Sequence, residues 1–265
     1  MKIGFIGVGN MGSAIVKGYL STNEKASANI SIFDTDTEKM LELRGMGCYE
    51  CSSIEELVKR SDFVIVGVKP NNFEAVLPEI AKEYTANKVI ISLAAGITFA
   101  IIEKFIGSDA KVIRVMPNTP ALVGEAMTAI CRNSNITGEE MQQANEIFTK
   151  IGKVCEISED MVHCSIGVSG SSPAYTYMYI DALAQAAVEN GMDKEQALTC
   201  AAQAVLGAAK MVLETGIDPE QLRINVCSPG GVTIEAVHKL QEEKFEEVVK
   251  AGFQAAVEKS RLMSK

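Results

Sequence analysis

The sequence predicts an α/β domain built on a mostly parallel sheet, followed by an all-helical domain. Over residues 1–160, short apolar runs alternate with amphipathic stretches, which is the pattern of strands connected by helices. After Asp160 the apolar segments become longer, richer in alanine and spaced as in helices. These two observations place the predicted domains at residues 1–160 and 161–265.

Seven short apolar runs are the predicted strands of the first domain, and two connecting segments carry helix start signals. Ser53 with Glu56, and Thr137 with Glu140, have the spacing of capping boxes, in which a hydroxyl and a carboxylate bond free backbone N–H groups. The predicted strands are Lys2–Ile6, Ile30–Phe33, Phe63–Val68, Val89–Leu93, Lys111–Met116, Met127–Cys131 and Val154–Ile157.

The second domain is predicted to consist of long helices with clear ends. Pro173–Asn190 and Asp193–Thr215 are each followed by a glycine, and two more helices run from Thr233 onward, divided near residues 242–244. These helices carry more apolar surface than a domain of about a hundred residues buries alone. We therefore expect them to pack against a second subunit.

The charge balance argues against several classes of partner. The 265 residues include 25 Lys and Arg against 34 Asp and Glu, a net charge of −9. An acidic chain repels phosphate backbones and anionic lipid, so neither nucleic-acid nor membrane-surface binding is expected. The N-terminus enters a strand pattern at once, and no uninterrupted apolar run reaches the ~20 residues of a spanning helix. No targeting or membrane segment is expected.

The cysteines and histidines argue against metal chemistry. Seven scattered cysteines are typical of reduced thiols in a cytoplasmic protein. Cys48 and Cys51 form a single C-x-x-C pair without a second pair or histidines at metal-binding spacing, so we interpret them as structural thiols and expect no metal. The two histidines, His163 and His238, lie in no recognisable motif.

A glycine-rich turn directly follows the first predicted strand and opens a helix. Gly7 allows a tight turn, Gly9 lets the backbone approach a pyrophosphate, and Gly12 lets helix and strand pack closely. The helix N-terminus then offers N–H groups and a positive dipole end to phosphates. This context predicts a Rossmann-type dinucleotide-binding domain; a glycine turn without a ligand is the alternative. The turn consists of Gly7, Val8, Gly9, Asn10, Met11 and Gly12.

Asp34 ends the second predicted strand, where an acid accepts hydrogen bonds from the adenosine ribose and repels a 2′-phosphate. No arginine follows it, and Lys39 is the nearest cation. The charges therefore favour NADH over NADPH. A plain turn acid is the alternative for Asp34, and Asp36 could share its role.

Lys69 follows a buried strand at the sheet edge where ligands of open α/β sheets bind. It is placed to reach a cofactor or substrate, although a solvated lysine is equally consistent with this position. Pro70 lacks an N–H, which is expected to stop the strand and leave the Val68 carbonyl free. Ala95, after the next strand, is small enough to let a nicotinamide approach.

The segment Ser228–Thr233 is the most unusual of the chain. Gly230 and Gly231 are expected to expose backbone N–H groups at a helix start, where a carboxylate can bind. Thr233 offers a neutral hydroxyl beside them. A Pro-Gly-Gly turn capped by Thr233 explains the same residues without a ligand.

Together these motifs resemble the pyrroline-5-carboxylate reductases over the full length of the chain. The resemblance implies a Rossmann-type domain and an all-helical dimerisation domain. It also implies reduction of 1-pyrroline-5-carboxylate to L-proline by NAD(P)H, the last step of proline biosynthesis. The implied assembly is a cytoplasmic homodimer that can associate further into a decamer. The motifs are Gly7–Gly12, Val68–Pro70, Arg114–Pro120, Ser169–Tyr175 and Ser228–Ile234.

The resemblance also implies roles for individual residues. Thr233 would hydrogen-bond the ring nitrogen, and Thr233 and Lys69 are the implied catalytic residues. Glu159 would contact the substrate and Asn225 the cofactor. The substrate carboxylate would bind the backbone of Ser228, Gly230, Gly231 and Val232, and the nicotinamide would lie among Val68, Lys69, Pro70 and Ala95.

Three other functions would also use parts of these motifs. A β-hydroxyacid dehydrogenase would carry a catalytic lysine on the first long helix of its second domain, but Pro173–Asn190 has none. A non-catalytic NAD(P)-binding regulator would keep the glycine turn but has no need of Ser228–Thr233. A reductase of a related cyclic imine stays open, because the motifs do not define the substrate ring.

Overall fold

The structure is a computed structural model that describes residues 1–21 and 24–264, with only the backbone at residues 24 and 25. Contacts divide the chain into two compact units. The first consists of Met1–Ser171 together with the end of the chain from Ala256, and the second of Ser172–Ala255.

The first unit is built on one eight-stranded sheet in the order β3-β2-β1-β4-β5-β6-β7-β8. Neighbouring strands are parallel except β6 and β7, which are antiparallel. The first six strands follow the order typical of doubly wound nucleotide-binding folds. The strands are β1 (Ile3–Ile6), β2 (Ile30–Phe33), β3 (Tyr49–Glu50), β4 (Phe63–Val66), β5 (Val89–Ser92), β6 (Val112–Met116), β7 (Ala126–Arg132) and β8 (Gly152–Glu156).

Helices cover both faces of this sheet, and each face has its own apolar core. Phe5 of β1 packs with the cluster around Ile15 and Phe148, whereas Ile6 packs with the cluster around Leu77 and Ile102. Burial on both faces explains why the parallel strands read as continuous apolar runs. The helices are α1 (Asn10–Ser21), α2 (Glu38–Gly45), α3 (Ile54–Arg60), α4 (Phe73–Glu83), α5 (Phe99–Ile106), α6 (Gly138–Phe148) and α7 (Val162–Ser165), with shorter 3-10 or π turns between them.

All seven predicted strands are present, but the structure corrects the end of β4 and adds β3. β4 ends at Val66 and not at Val68, because the chain bends at Val68, just after Gly67 passes the glycine turn. A Cβ on Gly67 would lie 2.8 Å from the Gly7 carbonyl oxygen. Pro70 does not stop the strand; it begins a 3-10 turn, Pro70–Asn72. β3 has only two residues, too few for a periodic signal.

One of the two predicted capping boxes is confirmed and the other is only half formed. Thr137 and Glu140 bond each other's backbone N–H groups at the start of α6, as predicted. At α3 the Ser53 side chain accepts from the Glu56 N–H, but the Glu56 carboxylate bonds the N–H and hydroxyl of Ser52 instead of returning to Ser53. Ser52 offers this carboxylate two donors, its N–H and its hydroxyl, whereas a capping box would offer only the Ser53 N–H.

The second unit is all-helical, as predicted. Its first two helices pack through the small residues Ala184, Ala197 and Ala201, and Asp193 caps the second of them. The predicted break near residues 242–244 is confirmed at Lys244, which has a φ of 59°. The helices are α8 (Ser172–Glu189), α9 (Lys194–Thr215), α10 (Pro219–Val226), α11 (Val232–Glu242) and α12 (Phe245–Met263), of which α10 was not predicted.

The compact units differ from the predicted domains 1–160 and 161–265 at both ends of the helical part. Val162 packs with Met116 and Cys131 of the sheet, which keeps the segment before Ser172 in the first unit. The end of α12 also belongs there, since Ser260 is buried and its hydroxyl lies 2.9 Å from His163 Nδ1. The assignment of functions to the two predicted domains stays a prediction.

The second unit exposes many large apolar side chains. Met178 of α8 is 74% exposed and Leu213 of α9 is 81% exposed. Among the described helices, α9 is also long and apolar enough to span a membrane by length and composition alone. Exposed apolar surface on this scale marks an interaction surface.

Candidate active site

The glycine turn after β1 has the backbone geometry that its sequence predicts. Gly7 adopts a φ of 89°, which favours glycine, and its N–H donates to the Phe33 carbonyl at 2.8 Å. A Cβ on Gly12 would lie 2.5 Å from the Gly7 carbonyl oxygen, so only glycine lets α1 pack this closely on the turn. By contrast, a Cβ on Gly9 would meet no atom within 4 Å. Gly9 therefore faces open space beside the start of α1.

The N-terminus of α1 is suited to an anion. Its first turn contains no acidic residue, and the Ser13 hydroxyl donates to the Val8 carbonyl at 2.6 Å. Free N–H groups and the positive end of the helix dipole attract phosphate.

Asp34 links the glycine turn to the end of β2. Its Oδ2 accepts from the Val8 N–H at 2.9 Å, and its Oδ1 accepts from the Asp36 N–H at 3.0 Å. The carboxylate is therefore held in one orientation, with lone pairs left for further donors. Lys39 lies nearby and pairs with Asp36 at 3.1 Å; this hydrogen bond and the Asp34 charge raise the pKa of Lys39.

These loops surround a cleft of about 570 Å³ at the carboxyl ends of the parallel strands. A smaller neighbouring cleft of about 280 Å³ is lined by Val8 and Asn10, and it shares Gly9 and Lys39 with the first. The structure thus brings five of the predicted cofactor residues to one cavity. They are Gly7, Gly9, Asp34, Val68 and Lys69.

Sequence reasoning missed part of the lining, and it also predicted five cofactor residues that line neither cleft. Thr35, Ile54 and Asn72 were missed, although each follows the carboxyl end of a strand or opens the next helix, which is the signal that could have found them. Met11 packs on the core, and Gly12 lies against the Gly7 carbonyl. Pro70 lines a different cleft near Met263, Ala95 packs near Met116 and Cys131, and Asn225 belongs to the second unit.

In the second unit, Ser228–Gly231 forms a tight turn that leads into α11. Gly230 has a φ of 68° after Pro229, as in a type II turn, and the Gly231 N–H donates to the Ser228 carbonyl at 3.0 Å. This corrects the expectation that Gly231 exposes its N–H group. No side chain caps the first turn of α11, so its N–H groups remain as donors.

The other predicted residues of this region lie close to the turn in sequence. Thr233 is the second residue of α11 and is partly buried, while Val232 before it is 89% exposed. The Asn225 amide oxygen accepts from Gln221 Nε2 at 2.9 Å, one helical turn earlier. Their predicted contacts with ligands stay predictions.

Glu159, a predicted substrate contact, is engaged inside the first unit. Its Oε1 accepts from Arg114 Nη1 at 2.7 Å and from the Phe99 N–H at 2.8 Å. Arg114 is buried, and neither its Nε nor its Nη2 has a hydrogen-bond partner in the part of the chain that the structure describes. The only signal for this pair in the sequence is a charged residue inside the strand Lys111–Met116.

The cysteines behave as structural thiols where they are buried. Burial raises the pKa of Cys48, Cys51 and Cys131 to about 11, so their thiolates are scarce at neutral pH. Within residues 1–21 and 24–264, no group of three or more His, Cys, Asp or Glu residues has the geometry of a metal site.

The fold, the glycine turn and Asp34 define a dinucleotide-binding protein of the doubly wound α/β class. A family model described as NADP oxidoreductase coenzyme F420-dependent matches residues 2–96, and one described as pyrroline-5-carboxylate reductase dimerisation matches residues 159–263. The chain is 43% identical to the pyrroline-5-carboxylate reductase of Escherichia coli, covering all of this chain and 98% of the relative. It is 37% identical to the reductase of Arabidopsis thaliana, covering 99% and 95%. The chain belongs to the pyrroline-5-carboxylate reductase family.

Solved structures agree with this relationship. A pyrroline-5-carboxylate reductase from Coxiella burnetii superposes with a TM-score of 0.93 at 33% identity, covering 100% of this chain and 98% of that one. The pyrroline carboxylate reductase of Plasmodium falciparum, solved with NADP bound, gives a TM-score of 0.89 at 32% identity and the same coverage. A 3-hydroxyisobutyrate dehydrogenase from Mycobacterium tuberculosis, at 13% identity, shares the fold alone.

Proposed function

We propose that the chain reduces 1-pyrroline-5-carboxylate to L-proline with NAD(P)H, the last step of proline biosynthesis. The observation that carries the proposal is the cleft around Gly7, Gly9 and Asp34, in a chain related over its whole length to reductases of this substrate. The assignment of residues 1–160 to cofactor binding and of residues 161–265 to dimerisation and substrate binding is part of the proposal.

The reaction needs orientation and a proton more than it needs a strong acid or a metal. The residues around Gly7, Gly9 and Asp34 would hold the dinucleotide, which would supply hydride to the imine carbon while the ring nitrogen gains a proton. The uncapped N–H groups at the start of α11 would bind the substrate carboxylate, as helix N-termini bind other anions. Fixing the ring in this way provides the proximity that accelerates a two-substrate reaction.

Thr233 and Lys69 are the residues that we propose to touch the reacting groups. The Thr233 hydroxyl would hydrogen-bond the ring nitrogen and pass on a proton, either itself or through a water. Lys69 is exposed in the cleft, where its charge would attract the anionic substrate and cofactor. If the substrate arrives as the iminium ion, the enzyme need not supply a proton at all.

Substitution of Thr233 tests its role. Thr233→Ala removes the hydroxyl and is expected to lower kcat/KM for pyrroline-5-carboxylate by about 10²-fold, the lower end of a general-acid contribution. Thr233→Ser is the matched control, because it keeps the hydroxyl and should retain most of the activity. Equal activity of both variants and the unsubstituted chain would remove Thr233 from the mechanism.

We also propose that NADH is preferred over NADPH. The Asp34 carboxylate, held by two backbone N–H groups, would accept hydrogen bonds from the ribose hydroxyls and would repel a 2′-phosphate. Lys39 lies in the same cleft but is paired with Asp36, which reduces its attraction for a phosphate. The NADP in the Plasmodium falciparum structure is a property of that relative.

The proposed assembly is a cytoplasmic homodimer formed through the helical domain, with further association into a decamer. The exposed apolar side chains of α8 and α9 support a subunit interface, and they also account for the apolar length of α9 without a membrane. The net charge of −9 is the reason for expecting neither nucleic acid nor a membrane as a partner.

There are two alternatives to this proposal. The chain reduces a related cyclic imine, or it is a regulator that binds NAD(P) without turnover. Turnover with pyrroline-5-carboxylate distinguishes all three. A regulator would bind dinucleotide and oxidise none of it, and a reductase of another ring would favour that ring in kcat/KM.

A further inference from the structure

The loop between β5 and α5, residues 93–98, leaves the sheet at the edge that carries the dinucleotide cleft. β5 pairs in parallel with β4, so both strands end at the same edge. Leu93 lies next to the crossing of Gly67 and Gly7, since a Cβ on Gly67 would come within 3.5 Å of the Leu93 side chain. Ligands of open α/β sheets bind at this edge.

The loop is fixed at its end by a residue far away in sequence. The Phe99 N–H, the first of α5, donates to Glu159 Oε1 at 2.8 Å. The same oxygen accepts from Arg114 Nη1, and Arg114 lies on β6 beside Ser92, the last residue of β5. Because the guanidinium is buried with two other nitrogens unpartnered among the described residues, it depends on Glu159 for charge compensation.

The middle of the loop lies against the end of the chain. Gly96 has a φ of 86°, and a Cβ there would lie 2.5 Å from the Met263 carbonyl oxygen. The turn of α12 that carries Met263 is itself held, because Ser260 is buried and its hydroxyl lies 2.9 Å from His163 Nδ1. Two distant segments thus converge on one short loop.

We infer that Glu159 is a positioning residue for the 93–98 loop and not a substrate contact, and that Met263 supports the same loop at Gly96. Through Leu93, which lies beside the crossing of Gly67 and Gly7, the loop and both of these segments support that side of the cleft. The inference rests on the proposed function only in taking the ligand of the cleft to be NAD(P)H.

Glu159→Ala and Glu159→Gln test the inference, with Glu156→Gln as the control. Gln keeps an oxygen acceptor for Phe99 and Arg114, whereas Ala removes it. Glu156 is exposed and pairs with Arg132, away from the loop. Binding of NADH and NADPH to each protein is titrated by nucleotide fluorescence without substrate, and thermal unfolding confirms that each variant is folded.

We expect Glu159→Ala to raise the dinucleotide Kd about tenfold, the effect of losing one charge-assisted hydrogen bond, and to lower kcat. Glu159→Gln should stay near the unsubstituted value, and the substrate KM at saturating NADH should not change in either variant. A raised substrate KM in Glu159→Gln with an unchanged dinucleotide Kd would instead make Glu159 a substrate contact and overturn the inference.

Removal of residues 262–265 is a second test that leaves the Arg114–Glu159 pair intact. It should also raise the dinucleotide Kd, and an unchanged Kd would contradict the support of Gly96 by Met263. If Glu159→Ala does not fold, Glu159→Gln and this truncation still decide the matter. Because binding is measured without substrate, these results stand even if the unsubstituted chain fails to reduce pyrroline-5-carboxylate.

Discussion

Asp34 is held in place by the protein before a ligand is considered. It accepts from the N–H groups of Val8 and Asp36, so its carboxylate joins the glycine turn to the loop after β2. A charge fixed in this way discriminates between ligands better than a mobile one, because no reorganisation is needed to place it.

The first prediction concerns this carboxylate. Asp34→Asn keeps an acceptor for the backbone but removes the charge, and it should lower the ratio of kcat/KM for NADH to that for NADPH about tenfold, as one lost like-charge repulsion of ~1.4 kcal/mol implies. Asp109→Asn, at an exposed acid that does not line the cleft, is the matched control and should leave the ratio unchanged. The ratio is measured by steady-state kinetics with both cofactors, and an unchanged ratio in Asp34→Asn would exclude Asp34 from cofactor selection.

The second prediction concerns the buried thiols. Since burial raises the pKa of Cys48, Cys51 and Cys131 to about 11, they should resist alkylation at pH 8, whereas the exposed Cys155 should react. Mass spectrometry after a short iodoacetamide pulse, with and without denaturant, measures this difference. Rapid labelling of Cys48 in the folded protein would contradict its burial.

At the scale of single elements, two glycines of the glycine turn are required for different reasons. Gly12 is needed for folding because a side chain would collide with the Gly7 carbonyl, whereas Gly9 faces open space. The third prediction follows from this contrast. Gly9→Ala should unfold at nearly the unsubstituted temperature but bind NADH much more weakly, since its methyl group enters the space of the pyrophosphate.

Gly12→Ala is the companion variant, and it should lower the unfolding temperature because the new Cβ forces α1 away from the turn. Thermal unfolding and NADH titration of both variants give the comparison. Normal NADH binding by Gly9→Ala would show that the dinucleotide does not bind along this turn.

Sequence patterns predicted the elements well where the signal is periodic or local. The seven longer strands and the capping box at Thr137 and Glu140 depend on local spacing, and all are present. The missed helix α10 also had a local signal, since Asp218 caps it and Pro219 opens it. The end of β4 could not be predicted, because it depends on the crossing of Gly67 and Gly7 in three dimensions.

Only the parts of the site that belong to recognisable sequence motifs were predicted. The glycine turn and Asp34 were found because their spacing reflects one ligand-binding geometry. The pairing of Arg114 with Glu159 joins residues 45 positions apart, and no local pattern indicates such a contact. The hydrogen bond that occupies the Gly231 N–H depends likewise on the turn that forms.

At the scale of the whole molecule, the second unit is incomplete as a monomer. Its largest described helices bury only a few alanines between them and leave residues such as Met178 and Leu213 exposed. A family model for dimerisation matches this region, so oligomerisation through the helical domain accounts for its surface.

The fourth prediction tests this surface. The unsubstituted chain should elute with at least twice its mass of 28.5 kDa in light-scattering chromatography. The double substitution Met178→Glu and Leu213→Glu places charges on the exposed apolar faces and should shift the population toward the monomer. Leu41→Glu, on an exposed position of α2 in the first unit, is the control and should not change the mass.

A purely monomeric unsubstituted chain would show that these faces do not associate. A dimer unaffected by the double substitution would place the interface on other helices of the second unit, and Val248→Glu on α12 would then be the next variant to examine.

Steady-state oxidation of NADH and NADPH by the unsubstituted chain, with 1-pyrroline-5-carboxylate as the acceptor, decides whether the chain is the reductase that its fold and relatives indicate. We expect turnover that depends on both substrates, yields L-proline in equal amount to the dinucleotide oxidised, and has a higher kcat/KM with NADH. A protein that binds dinucleotide yet forms no proline with either cofactor would contradict the proposed function.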